Sequence, residues 1–200
     1  MYIDYALVCV IAYLLGNFST SYIVSKRTAH IDIREHGSGN AGATNVLRVL
    51  GLKAAAVTFI GDSIKGAAAV MIGRHFLGDM GVLLAGVFVV LGHNWPIVLK
   101  FKGGKGIAST IGVILAVNPL IGLLSLAVGI LVILIFRYVS LGSIIGICIL
   151  PVSLLIFKQP GEMLMLSIIL AILAVYRHAG NIQRLLNGTE AKIGQRSSLK

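Results

Sequence analysis

Seven stretches of this chain, at roughly residues 5–25, 54–73, 80–99, 107–118, 120–136, 139–157 and 162–177, are strongly apolar and nearly free of charge. A helix of about 20 such residues crosses the ~30 Å hydrocarbon layer of a bilayer while pairing its own backbone N–H and C=O groups. Composition agrees with a bilayer solvent: 57% of residues are hydrophobic and 12% charged, against roughly 45–50% and 25% in soluble domains. The expected fold is all-α, a polytopic membrane protein with seven transmembrane helices in a single integral-membrane domain over residues 1–200. The fourth run is short, which fits either a re-entrant or a strongly packed helix. Pro119 separates it from the fifth, and Arg137-Tyr138 separates the fifth from the sixth; each break is also compatible with a kink.

With seven spans, loops alternate sides and the basic residues sort cleanly. Lys26, Arg27, Arg34, Arg48, Lys53, Lys100, Lys102, Lys105, Arg137, Arg177, Arg184, Lys192, Arg196 and Lys200 fall on one side, Arg74 and Lys158 on the other. The positive-inside rule then places the N-terminus outside and the C-terminus in the cytoplasm. The start, Met1-Tyr2-Ile3-Asp4, has no basic region ahead of the first run, so that helix is expected to stay in the protein. The net charge of +10 suits insertion and anionic headgroups; no binding fold for nucleic acid accompanies it. Cys9 and Cys148 lie in apolar runs without metal-like spacing and read as buried small residues.

Three polar islands, all on the predicted cytoplasmic side, cannot sit in lipid. The first, Gly37-Ser38-Gly39-Asn40-Ala41-Gly42-Ala43-Thr44-Asn45-Val46-Leu47-Arg48, combines glycines that let N–H groups converge with hydroxyl and amide donors and the planar fork of Arg48. Residues 43–50 fit a short amphipathic interfacial helix with Val46, Leu47 and Leu50 toward the membrane and an anion-attracting N-terminus. The second runs from Gly92-His93-Asn94-Trp95-Pro96 to Lys102-Gly103-Gly104-Lys105-Gly106, with Trp95 as an interfacial anchor and Lys105 just ahead of a helix. It is not a Walker A loop, because Gly106 follows Lys105 and an apolar helix precedes it. The third contains His178 and Asn181, spaced to share a helical face, then Arg184 and Gly188-Thr189-Glu190. Together the islands imply a phosphate-handling site at a membrane edge.

Asp62 and Lys65, at i and i+3 inside the second run, are expected to form a structural ion pair, since lone charges at membrane depth are costly. Asn17, Ser19, Thr20 and Ser21 near the end of the first run suggest close helix packing. Asn17-Phe18-Ser19 and Asn187-Gly188-Thr189 match a glycosylation pattern, but one is intramembrane and the other cytoplasmic in this topology.

Asp32-Ile33-Arg34 leading into Gly37 to Arg48, then the second island with Phe101, then His178 to Asn181 and Gly188-Thr189-Glu190, together resemble the bacterial acyl-phosphate glycerol-3-phosphate acyltransferases over nearly the whole chain. The resemblance implies a seven-helix enzyme of the bacterial cytoplasmic (inner) membrane, its site facing the cytoplasm. The implied reaction moves a fatty acyl group from acyl phosphate to the 1-hydroxyl of glycerol 3-phosphate, giving lysophosphatidic acid and phosphate at the first step of phospholipid synthesis. It implies membrane lipid as surroundings and no metal, nucleotide or other cofactor. Carried over by motif, Ser38, Arg48, Lys105, His178 and Asn181 form the catalytic core, with Gly37, Gly39, Asn40, Thr44, Asn45, His93, Gly103, Gly104 and Glu190 as substrate-binding residues. Gly16-Asn17-Phe18-Ser19 replaces the family's frequent Gly-Ser-Ile-Pro, Val98 a common Phe and Ser109 a common Thr; these departures touch helix one and the acyl tunnel.

Two phosphate-bearing substrates, one with a long acyl chain, call for two anion cradles beside an apolar groove. Acyl phosphate carries its own leaving group, so positioning and charge neutralisation suffice without a covalent intermediate. A transporter of phosphorylated metabolites is the rival reading of the same basic loops and of Asp62 and Lys65, but it calls for a polar path to the outer face, and the outer loops here are short and poor in polar clusters.

Overall fold

The computed structural model describes residues 2–194; Arg196 and Lys200, assigned above to the cytoplasmic side, lie outside the described residues. All regular structure among those residues is helical: α1 (Tyr2–Asn17), α2 (Thr20–Ala29), α3 (Ala43–Leu50), α4 (Leu52–Asn94), α5 (Ile107–Val117), α6 (Pro119–Phe136), α7 (Val139–Ile156), α8 (Gly161–Arg177) and α9 (Ala179–Leu186), with 3-10 turns at Ile33–Glu35 and Ile97–Leu99.

The first apolar run is broken where a single helix is expected. α1 stops at Asn17, and Ser19 caps α2 by accepting a hydrogen bond from the Tyr22 N–H. The Asn17 amide donates to Tyr13 O and its oxygen accepts the Ile97 N–H at 2.6 Å. This polar side chain therefore joins the break to the second island.

α4 holds the second and third runs in two arms that meet at Gly78, whose φ of 58° and ψ of −139° are not helical. The arms fold back on each other: a Cβ built on Gly73 would lie 2.2 Å from Gly81 O and 2.8 Å from Ala85 Cβ, an approach impossible along a straight helix. Glycine serves twice here, by its positive φ at the tip and by its missing side chain at the crossing.

α5, with 11 residues, is only ~16 Å long. It is strongly packed, buried from Ala108 to Ile114. Gly66 of α4 approaches Ser109 O, Gly112 of α5 approaches Ser63 O, and Ser63 Oγ donates to Ala108 O at 3.0 Å. Val89, Val90, Val113, Leu150, Leu166 and Leu170 form the centre of the core. Outward-facing Leu14, Ile60, Ile64, Leu134, Ile156 and Ile172 are exposed on α1, α4, α6, α7 and α8, a non-aqueous belt that suits lipid.

By length and composition, Tyr2–Ala29, Leu52–Leu99, Pro119–Phe136 and Val139–Ile156 can each cross a membrane, and Gly161–Arg177 with Ala179–Leu186 makes a fifth when this pair, bent by 60°, counts as one. The chain is a multi-pass membrane protein.

One orientation inferred from the sequence is corrected. The apolar face of α3 turns into the protein: Val46 is fully buried with Ile33, Ala41, Ala55 and Leu99, and Leu47 and Leu50 pack against that cluster. Intramolecular apolar surface covers the stripe more completely than a headgroup layer would.

Candidate active site

The first island is organised by Asn45, the third residue of α3. Its amide nitrogen lies at 2.9–3.1 Å from Ile33 O, His36 O and Asn40 O, and its oxygen accepts the Ser38 N–H at 2.8 Å. One buried side chain thereby closes the glycine-rich loop. Gly37 is required there, because its φ is +59° and a Cβ would sit 2.3 Å from Asn45 Oδ1. Asp32 pairs with Arg34 at 2.6 Å, and Arg34 Nη1 donates to Leu99 O at 2.8 Å, so this ion pair clamps the first loop to the second.

The second loop is fixed from three directions. Gly104 N–H donates to His93 O at 3.1 Å, Arg177 donates through Nε and Nη2 to Gly104 O, and the Arg177 guanidinium lies 5.1 Å from the Trp95 ring centroid. The Trp95 carbonyl accepts the Tyr13 hydroxyl at 2.6 Å. Trp95 thus anchors to the protein's own interior rather than acting only as an interfacial residue. Gly103 and Gly104 allow this close approach, since a Cβ on either would come within 2.1–2.2 Å of His93 O or Nε2. Gly106, with φ of +78°, then starts α5.

At the third island Glu190 is the hub. Its Oε1 accepts from Asn181 Nδ2 at 2.7 Å and Ser140 Oγ at 2.8 Å, its Oε2 accepts from Arg184 Nε at 2.8 Å, and Arg48 Nη2 stands 4.0 Å away. Burial raises the Glu190 carboxyl's proton affinity, but the hydrogen bonds from Asn181, Ser140 and Arg184 outweigh it and hold the group below its ordinary range. Asn181 Oδ1 in turn accepts from Lys105 Nζ. Lys105 is pushed down to about 8, chiefly by burial, with Glu190 opposing and Arg184, Arg48 and Arg177 reinforcing. His178 Nδ1 sits 2.8 Å from Ala174 O; a carbonyl only accepts, so Nδ1 carries the hydrogen and a neutral ring turns Nε2 into an acceptor.

These groups face one cavity of about 400 Å³. Its wall combines the polar and charged Ser38, Asn40, Thr44, Arg48, Lys105, His178, Asn181 and Glu190 with the apolar Ile111, Leu126, Ile130, Ile133 and Ile147 and the glycines 129, 142 and 146. The N-termini of α3 and α5, whose N-caps Gly42 and Gly106 make no side-chain capping bond, both open on it. Backbone N–H groups and the helix dipole make each an anion cradle. The cavity wall is thus part cationic and donor-rich, part apolar.

A family model described as "Glycerol-3-phosphate acyltransferase" matches residues 6–188. The chain belongs to the glycerol-3-phosphate acyltransferase family. A glycerol-3-phosphate acyltransferase of Thermoanaerobacter sp. (strain X514) is 53% identical over 194 residues, covering 97% of this chain and 98% of the relative. One of Clostridioides difficile (strain 630) is 54% identical over 199 residues, with 96% and 97% covered. Two crystal structures of PlsY (YgiH), an integral membrane glycerol 3-phosphate acyltransferase, share the fold. Its glycerol 3-phosphate form matches with a TM-score of 0.90 at 38% identity over 95% of this chain and 96% of that one. Its lysophosphatidic acid form matches at 0.88 and 37% over 96% of each.

In this acyltransferase-family chain, the five core residues expected from the sequence, Ser38, Arg48, Lys105, His178 and Asn181, all line the cavity, as do Asn40, Thr44, Asn45, His93 and Glu190. Gly37, Gly39, Gly103 and Gly104 are not in its wall. Gly37 and Gly39 shape the loop through positive φ, and the Gly104 N–H is taken by His93 O. Ser140, Ser143 and Asp62 line the cavity too without having been singled out for substrate contact. Ser140 lies in an apolar helix with no local polar pattern, and only the fold brings it to Glu190. Asp62 and Lys65 do pair, at 2.9 Å.

Proposed function

We propose that this chain transfers a fatty acyl group from acyl phosphate to the 1-hydroxyl of glycerol 3-phosphate, giving lysophosphatidic acid and inorganic phosphate. The observation that carries this reading is that one cavity is lined both by cationic and hydrogen-bonding groups and by a set of apolar side chains, which matches a donor that is a phosphate on a fatty chain. Arg48, Lys105 and the N-termini of α3 and α5 hold the substrate phosphates. The glycerol C1 oxygen attacks the acyl carbonyl carbon, the carbon–oxygen bond to phosphate breaks, and the hydroxyl proton goes to a phosphate oxygen of the departing group. Cationic donors aimed at those oxygens stabilise the charge that develops on them. Ser38, Asn181 and the acceptor Nε2 of His178 orient the attacking hydroxyl. No step calls for a metal or nucleotide.

The chain functions as one integral domain with seven spans, N-terminus outside and C-terminus in the cytoplasm of a bacterial inner membrane, so that the polar part of the cavity wall meets soluble glycerol 3-phosphate while its apolar part meets the acyl chain. Purified protein in lipid, given acyl phosphate and glycerol 3-phosphate, is expected to release phosphate and form lysophosphatidic acid. Turnover with acyl-CoA or acyl carrier protein in place of acyl phosphate overturns the assignment of donor. Arg48→Ala should lower kcat/KM on the order of 10²-fold or more, as for loss of a desolvated charge-assisted contact.

A further inference from the structure

A second polar cluster reaches from the cavity wall, where Asp62 and His93 stand, back to Lys65 and the α1–α2 break. Lys65 Nζ stands 3.1 Å from Gly16 O and 2.7 Å from Phe18 O at the α1–α2 break, 2.9 Å from Asp62 Oδ1 and 2.9 Å from His93 Nδ1. Asp62 Oδ1 also accepts the Thr20 hydroxyl at 3.1 Å. Lys65, Asp62 and His93 are all buried. The sequence accounts for the first two as an ion pair, yet Lys65 reaches past Asp62 to an imidazole that faces substrate space.

A hydrogen count with Lys65 as ammonium and Asp62 as carboxylate assigns the state of that imidazole. Two carbonyl oxygens and an oxygen already accepting from Thr20 surround Nζ, and all three can only accept, so they use the three hydrogens of an ammonium. An ammonium has no lone pair, so a hydrogen on His93 Nδ1 would point at a cation. The other acceptor in reach, Asp62 Oδ1, is 3.8 Å from Nδ1, too far for a hydrogen bond. Nδ1 therefore stays bare and shares a Lys65 hydrogen, and the ring proton resides on Nε2. That edge stands at Gly104, where a Cβ would come within 2.2 Å of Nε2, and His93 lines the cavity.

We propose that Lys65 is a positioning residue that locks neutral His93 in the Nε2–H tautomer, so that the imidazole presents a fixed hydrogen-bond donor to a phosphate oxygen of a substrate. This rests on the acyltransferase reading above. A neutral donor adds a directed bond to the polar part of the cavity wall without adding another positive charge beside Arg48 and Lys105. It also gives a charge at membrane depth a use beyond its bonds to Gly16 O, Phe18 O and Asp62, since without it the ring would be free to take either tautomer.

The test combines nitrogen NMR of histidine-labelled, lipid-reconstituted full-length protein with acyl transfer kinetics. The wild-type spectrum is expected to show an unprotonated Nδ1 and a protonated Nε2 at His93, assigned by its loss in His93→Ala. Lys65→Met should mix the tautomers and lower kcat/KM roughly 10- to 100-fold, the range for one hydrogen bond to a charged group, and Lys65→Arg should restore the tautomer and part of the activity. Because Lys65 acts through His93, adding Lys65→Met to His93→Ala should cost little more. If Lys65→Met does not fold, the paired Asp62→Asn, Lys65→Met variant removes both charges and is read in the same way. A wild-type His93 protonated at Nδ1, an unchanged tautomer in the folded variant, or fully additive losses in the double variant overturns the proposal. Absence of acyl transfer by the wild type, with the expected spectrum, instead overturns the acyltransferase reading.

Discussion

Lys105 is the residue at which burial and function pull against each other. In the proposed mechanism its ammonium holds phosphate, while burial and the nearby Arg184, Arg48 and Arg177 lower its proton affinity to about 8. The charged form prevails below that value and is lost above it, so kcat/KM is expected to fall as pH rises through about 8. In Lys105→Arg that alkaline limb should vanish, because a guanidinium stays protonated; a pH profile of kcat/KM in both proteins checks it. Glu190 is expected to act through its partners rather than on substrate. Glu190→Ala leaves Asn181, Ser140 and Arg184 without their shared acceptor, a cost of about 1–3 kcal/mol for each of the buried Asn181 and Ser140, and Glu190→Gln, which keeps one acceptor, should recover part of the loss in kcat/KM. At His178 the pH dependence of kcat in wild type and His178→Gln separates orientation from general-base chemistry. An acidic limb that survives the substitution supports orientation, and its selective loss makes His178 the base.

At the scale of elements, the decisive packing is backbone on backbone between α4 and α5. A Cβ on Gly112 would come within 1.9 Å of Ser63 O, and one on Gly66 within 2.2 Å of Ser109 O. Gly112→Val should therefore push α5 away from α4, destabilising the fold by about 1–3 kcal/mol or more as overpacking does. It should also move the α5 N-terminus and Lys105, so that KM for glycerol 3-phosphate rises. Gly161→Ala, at a site with nothing within 4 Å, should leave both unchanged or raise stability by about 0.4–1 kcal/mol. Thermal unfolding in detergent together with steady-state kinetics compares the two.

Over the whole molecule, three loops distant in sequence meet at one end of the bundle, held there by Arg34 on Leu99 O, Arg177 on Gly104 O and Asn17 on Ile97 N. The proposed orientation puts that end in the cytoplasm and the α4 hairpin tip outside. With Cys9 and Cys148 replaced, a membrane-impermeant thiol reagent added to intact cells is expected to label Asp79→Cys at the exposed tip. It should reach Arg27→Cys only after permeabilisation. The reverse pattern inverts the topology.

The apolar runs by themselves determined an all-helical membrane protein, because lipid leaves a backbone no other partner than its own chain. The donor-rich islands likewise pointed to phosphate chemistry, since glycines, amides and cations together make anion cradles. Which donors face the cavity was decided only by tertiary structure. Asn45 and the Gly104 N–H look in sequence like ligands for substrate, yet both are occupied by backbone groups of neighbouring loops. Ser140 looks like a neutral position in an apolar helix, yet it donates to Glu190 across 50 residues. The Val46 face of α3, which the sequence pattern assigned to the membrane, is turned inward onto Ile33 and Leu99. Periodicity and composition record what solvent each segment tolerates; a hydrogen bond between distant loops leaves no local trace, because its partners are selected by the packing of helices that lie elsewhere in the chain.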